Sequence, residues 1–205
     1  MKPQLLLFAG PNGSGKSTIT RTYEDRIASM VYINADDIKK KYNLSDQEAF
    51  DQASRLRENC LKSKVNFSFE TVFSHESKVD FMRRAKKQGY EIILVFVTTF
   101  DPEINKRRVE FRVLTGGHDV PPEKIVSRYE RTMALMPKAV ALADFSTVYN
   151  NSLEKPVVLL EKRKHEIEIF PQPTPSKWTH EKLTNLKKEI ESHQMDLQKE
   201  FEIKI

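Results

Sequence analysis

Residues 4–18 read QLLLFAGPNGSGKST. The run Gln4–Ala9 is apolar enough for a buried strand, and residues 17–23 (STITRTY) can open a helix. Between them, Gly10 to Ser17 match G-x-x-x-x-G-K-[ST] at full spacing. Strand, glycine loop and helix in that order turn a short pattern into a phosphate site. The glycines let successive backbone N–H groups converge on a phosphate without Cβ clashes. Lys16 is expected to reach the β- and γ-phosphates and Ser17 to coordinate Mg²⁺, with the helix N-terminus adding partial positive charge. The loop of Gly10, Pro11, Asn12, Gly13, Ser14, Gly15, Lys16, Ser17 and Thr18 therefore reads as a nucleoside triphosphate site.

The chain's 205 residues suffice for one α/β core plus an appendage. Mean hydropathy is −0.57, and no apolar run approaches the roughly 20 residues that span a bilayer. With no cleavage-site pattern after the first strand, the expected location is the cytoplasm, away from membranes. A single cysteine, Cys60, excludes an internal disulfide framework and a cysteine-rich zinc site. The net charge of +5 is local: residues 104–131 hold seven Lys/Arg against four Asp/Glu, whereas residues 161–205 balance nine against nine. Clustered arginines beside a phosphate loop point to phosphate handling rather than nucleic acid, and no basic stripe is interleaved with aromatics.

Apolar runs recur at Gln4–Ala9, Val31–Asn34, Val65–Glu70, Ile92–Thr98 and Val157–Leu160, separated by helix-length segments. Ser45 to Glu48 is a capping box for a helix to about Lys64. Glu76 to Gln88 is a helix stopped by Gly89, and Asp101-Pro102 caps another to about Leu114. Pro121-Pro122 opens a further helix, expected to be interrupted by Pro137. Strands alternating with helices predict a parallel sheet covered on both faces, a three-layer α/β sandwich with its site at the strand C-termini. Residues 1–160 are expected to form this core. Residues 161–205 are expected to add a hairpin (157–160 with 167–170), a proline-rich spacer (171–175) and a helix from Trp178 to about Phe201. The stripe of Leu183, Leu186, Ile190, Leu197 and Phe201 on that helix either packs on its own core, leaving a monomer, or forms a homodimer or partner surface.

Neither Asn-Lys-x-Asp nor Asp-x-x-Gly occurs, so guanine-reading switches are unsupported. Acids sit instead where the second and third strands end: Asp36 and Asp37 after Val31–Ile33, and Glu70 after Phe67–Phe69. A carboxylate there can take a proton from an acceptor hydroxyl and aim it in line; of the aspartates, Asp37 is expected to cap the following helix. Arg107, Arg108 and Arg112 precede a Gly116-Gly117 break, and Arg128 and Arg131 follow it. Two arginine-loaded helices across a glycine hinge, about residues 104–131, read as a lid. His118 reads as a loop histidine rather than a metal ligand.

The ordered set GPNGSGKST, INADDI (33–38), SFETVFS (68–74), TGGHDVP (115–121), SRYERT (127–132) and YNNS (149–152) resembles the zeta toxin family of P-loop kinases over about Gln4 to Leu160. The resemblance implies a P-loop kinase domain with Mg·ATP as donor and a sugar hydroxyl of UDP-N-acetylglucosamine or a related nucleotide sugar as acceptor. It implies Asp36 as catalytic base, Glu70 and Thr71 as holders of the acceptor, Arg112 as the lid arginine on the phosphates, and Asn151 with Ser152 near the adenine. His118 stands where longer members carry a second lid arginine, which leaves that charge to Arg128. An antitoxin partner is also implied. A kinase of another hydroxyl acceptor (antibiotic, nucleoside or small sugar) and an ATP-dependent binding switch remain open as alternatives.

Overall fold

The structure, a computed structural model, describes residues 2–117, 119–173 and 177–202, and for residues 201 and 202 the backbone alone. His118, Pro175 and the Phe201 side chain lie outside the described residues. Strand β1 (Gln4–Ala9) is the centre of the sheet, and Leu5 to Ala9 are all essentially inaccessible. That is why the strand reads as an unbroken apolar run: both of its faces are covered. On one edge it pairs with β3 (Phe67–Thr71), and β3 with β2 (Val31–Ile33). On the other it pairs with β4 (Glu91–Thr98), and β4 with β5 (Phe145–Asn150). All four pairings are parallel, with strand order β2-β3-β1-β4-β5.

The sheet continues through β6 (Val157–Arg163) and β7 (Glu166–Ile169), both antiparallel. The parallel sheet expected of the core is thus extended by the expected hairpin, β6 with β7, because the short link after β5 returns the chain directly instead of through a crossover helix. β5 itself is absent from the apolar runs of the sequence. Its inward positions are Ser146, Val148 and Asn150, two of them polar, so burial leaves no hydrophobic stretch to read.

On one face of the sheet Leu6, Phe8, Ile93, Val95 and Val97 pack on Ile19 of α1 (Lys16–Arg21) and, at its edge, on Ile27 of α2 (Glu24–Ile27). The other face carries the larger core. It is built from α3 (Ala35–Tyr42), α4 (Asp46–Ser63), α5 (Ser77–Lys87), α7 (Pro122–Leu142) and α8 (His180–Glu202). Ser45 and Glu48 form the expected reciprocal capping box of α4. Asp101 caps α6 (Pro102–Leu114) through the Glu103 N–H, with proline at the first position.

Pro137 does not interrupt α7. It removes one i→i−4 hydrogen bond, but nine buried residues of the helix, Pro137 among them, hold the backbone helical on either side. The apolar stripe of α8 faces its own chain: Leu183, Leu186 and Ile190 are buried against α7 in the main core. Helices α6 and α7 meet around a separate small cluster of Val109, Val120 and Ile125. This arginine-rich pair thus has its own packing at the C-terminal edge of the sheet.

Candidate active site

A cleft of about 440 Å³ opens at the C-terminal ends of β1, β2 and β3. One wall is the phosphate loop. Gly13 adopts φ +72° and Gly15 φ +89°, in the left-handed region. A Cβ on Gly13 would lie 2.5 Å from the Asn105 carbonyl oxygen, and one on Gly15 2.1 Å from Asn151 Nδ2. At Gly13 that contact is with backbone and cannot give, while at Gly15 a side chain would have to displace Asn151 and hold a left-handed φ, so both positions favour glycine. Asn12, Gly13, Gly15, Lys16, Ser17 and Thr18 line the cleft, while Gly10, Pro11 and Ser14 back it. The Lys16 ammonium donates to the Gly10 and Pro11 carbonyls at 2.7 and 2.8 Å. Burial pulls its pKa down to about 8, with Glu70 opposing that shift.

The opposite wall carries the acids. Ser17 Oγ donates to Glu70 Oε2 at 3.1 Å, and the Tyr32 phenol donates to Glu70 Oε1 at 2.8 Å. Asn34 Nδ2 donates to the Tyr32 oxygen at 3.1 Å. Burial, with the Glu70 carboxylate adding to it, raises the Tyr32 pKa, which keeps the phenol a donor. Asn34, not Asp37, caps α3: its Oδ1 accepts from the Asp36 and Asp37 N–H groups at 2.8 and 3.4 Å. The Asx side chain one residue before the helix has the reach that an aspartate already inside the first turn lacks. Asp36 is thereby fixed in that turn and lines the cleft. Thr71 lines it as well, its hydroxyl oxygen accepting the Phe73 N–H at 3.2 Å. Phe73, fully buried, holds φ +60° in the turn that ends this wall.

The roof is α6. Arg108 and Arg112, one turn apart on one helix face, both line the cleft. Gly117 passes so close to Arg112 that a Cβ there would sit 2.4 Å from Arg112 Cγ, which explains the second glycine of the hinge. Arg128 is not among the lining residues; it lies half-buried on α7, and Arg108 holds the place beside Arg112 expected of it. Asn151 donates to the Ser14 carbonyl at 2.8 Å, supporting the loop from β5, and Ser152 Oγ accepts the Phe100 N–H at 2.8 Å.

Two contributors escaped the sequence reading. Tyr32 sits two residues before Asn34 on an exposed edge strand, where only its parallel register beside Ser68, two residues short of Glu70, betrays it. Asn105 lies three and seven residues before the two arginines, a helical spacing that was legible but had no partner in view.

The residues fit a triphosphate and its metal. Asn12 Oδ1, Ser14 Oγ and Arg108 Nη1 are buried without a hydrogen-bond partner, and Lys16, Arg108 and Arg112 bring positive charge to the same cleft. The Ser17 hydroxyl offers a hard oxygen donor suited to Mg²⁺. Among the described residues no cluster of three or more His, Cys, Asp or Glu could hold a metal unaided.

The family model described as Zeta toxin matches residues 1–172. An uncharacterized protein of Haemophilus influenzae is 30% identical over 134 residues, covering 63% of this chain and 94% of its own. The solved structure of the PezAT chromosomal toxin–antitoxin system of Streptococcus pneumoniae superposes with a TM-score of 0.53 at 18% identity, covering 94% of this chain and 87% of that one. AvrRxo1-ORF1:-ORF2 with ATP gives a TM-score of 0.65 at 17% identity, over 94% and 64% of the two chains. At those identities the structural likenesses establish the α/β P-loop kinase fold.

Proposed function

The chain belongs to the zeta toxin family, and on that premise we propose that it is an ATP-dependent kinase whose acceptor is a sugar hydroxyl of UDP-N-acetylglucosamine or a related UDP-sugar. The observation that carries this reading is the meeting, in one cleft, of a phosphate loop, two carboxylates and two arginines of α6. A switch that only hydrolyses ATP needs a positioned water; a kinase needs a base with room for an acceptor beside it. Asp36, exposed to the cleft on a capped helix turn, meets that need.

In this reading Asp36 takes the proton of the acceptor hydroxyl as its oxygen bonds to the γ-phosphorus, the bond to the bridging β–γ oxygen breaks, and ADP departs. Glu70 and Thr71 hold the acceptor; Glu70 is itself oriented by Tyr32 and Ser17. Lys16 and the N–H groups of the loop hold the β- and γ-phosphates, and Arg108 with Arg112 faces the charge spread over the transferring group. Mg²⁺, held on the Ser17 side, would supply further neutralisation of the phosphate oxygens. Asn151 supports the loop from the nucleotide side. The family premise and the PezAT likeness also support an antitoxin protein as a partner.

The test is incubation with Mg·ATP and a panel of UDP-sugars, followed by mass analysis of the products. Gain of one phosphoryl group on a UDP-sugar is the expected result. ATP consumption that no UDP-sugar stimulates would transfer the reading to another acceptor.

A further inference from the structure

Asn105 has no place in the motifs that mark this site, yet it is the buried joint between two of its walls. Its side chain, in the second turn of α6, is fully inaccessible. Nδ2 donates to the Asn12 carbonyl of the phosphate loop at 2.6 Å. Oδ1 accepts from the Thr99 hydroxyl at the end of β4, and the Thr99 carbonyl in turn accepts from Tyr129 of α7 at 2.7 Å. The Asn105 backbone forms the floor under Gly13, close enough to forbid any Cβ there.

An α-helix turns 100° per residue, so positions 105, 108 and 112 share one face. The register that seats Asn105 under the loop therefore also determines where Arg108 and Arg112 stand over it. Only a planar head with a donor and an acceptor side by side satisfies both partners. Aspartate keeps the shape and the acceptor but sets a carboxylate oxygen against the Asn12 carbonyl. We propose that Asn105 is a positioning residue that locks α6 to the phosphate loop and so places Arg108 and Arg112 on the phosphates of bound ATP. This rests on the kinase reading above.

The test is a double-mutant cycle on Mg·ATP affinity, read by titration calorimetry, which needs no acceptor. The proteins are the unaltered chain, Asn105→Asp, Arg112→Ala and the double variant. Loss of one partner from a buried hydrogen bond predicts affinity about ten- to a hundredfold weaker for Asn105→Asp. If Asn105 acts through the arginines, Arg112→Ala costs no more than about twofold further in that background, well below its cost alone. A residue that merely filled space would give additive losses, and additivity overturns the proposal, as does unchanged affinity in Asn105→Asp. Thermal unfolding checks that each variant is folded. Should Asn105→Asp fail that check, Thr99→Val takes its place in the cycle, with a smaller loss and the same non-additivity. Absence of ATP binding by the unaltered chain would instead remove the kinase reading, and the role of Asn105 with it.

Discussion

Lys16 is held between two demands: it must be charged to bind phosphate, yet it is buried. Burial is the largest influence on it and lowers the ammonium to about 8; Glu70 and Asp36 raise it in part, and Arg112 lowers it. The charged form binds ATP, so binding is intact below that value and is lost as pH rises through it. For the free enzyme, kcat/KM for ATP is expected to fall about tenfold per pH unit above pH 8, a limb that reports the uncomplexed protein. A profile flat to pH 10 would contradict the buried, phosphate-facing position of this lysine. At this scale the site was largely legible. Lys16, Ser17, Asp36, Glu70 and Arg112 each belong to a strand end, a motif or a helix face that spacing alone reveals. Tyr32 and Asn105 were not, because what identifies them is a partner more than 30 residues away in the chain, and in Asn105's case a glycine whose missing Cβ makes room.

The elements that aim these side chains depend on local chemistry. Asn34 follows β2, caps α3 and braces Tyr32, so one side chain couples Asp36, the proposed base, to Glu70. Asn34→Ala is expected to cost about 1 kcal/mol of stability, measured by urea unfolding. Its effect on kcat for transfer should exceed its effect on KM for ATP, since the phosphate loop does not touch it. An equal loss in both would detach the cap from the acid wall. Assigning this cap to Asp37 followed from reading an acidic pair at a helix start as cap plus free residue. The residue just before the pair has the better geometry, a distinction that spacing of acids cannot convey. The same limit hid β5: a strand recognised by apolar content is invisible when two of its inward positions are Ser146 and Asn150. Continuity of α7 through Pro137 was equally out of reach, being decided by tertiary burial rather than by the proline.

Across the whole molecule, one structural body extends beyond the segment that the family model matches. Helix α8 lies after residue 172, but Leu183, Leu186 and Ile190 complete the same core that α5 and α7 build on the sheet. Ile190 is fully inaccessible. Ile190→Ala is expected to destabilise the chain by about 2–5 kcal/mol through lost burial and the cavity left behind. A loss below about 1 kcal/mol in denaturant unfolding would show that the helix is docked only loosely. Among the described residues no helix is long and apolar enough to cross a membrane. The candidate cleft lies apart from α8, at the C-terminal ends of β1, β2 and β3, and α6 and α7 pack on each other around Val109, Val120 and Ile125.

In the proposed reaction Asp36 serves the acceptor and not the nucleotide. The most direct measurement compares the unaltered chain with Asp36→Asn for both Mg·ATP affinity and phosphoryl transfer to a UDP-sugar in single-turnover experiments. Loss of general-base catalysis predicts transfer slower by about 10²–10⁴-fold, with ATP affinity within about threefold of the unaltered protein because the phosphate loop is untouched. Transfer at an undiminished rate, or a loss of ATP affinity that accounts for the whole effect, would contradict it.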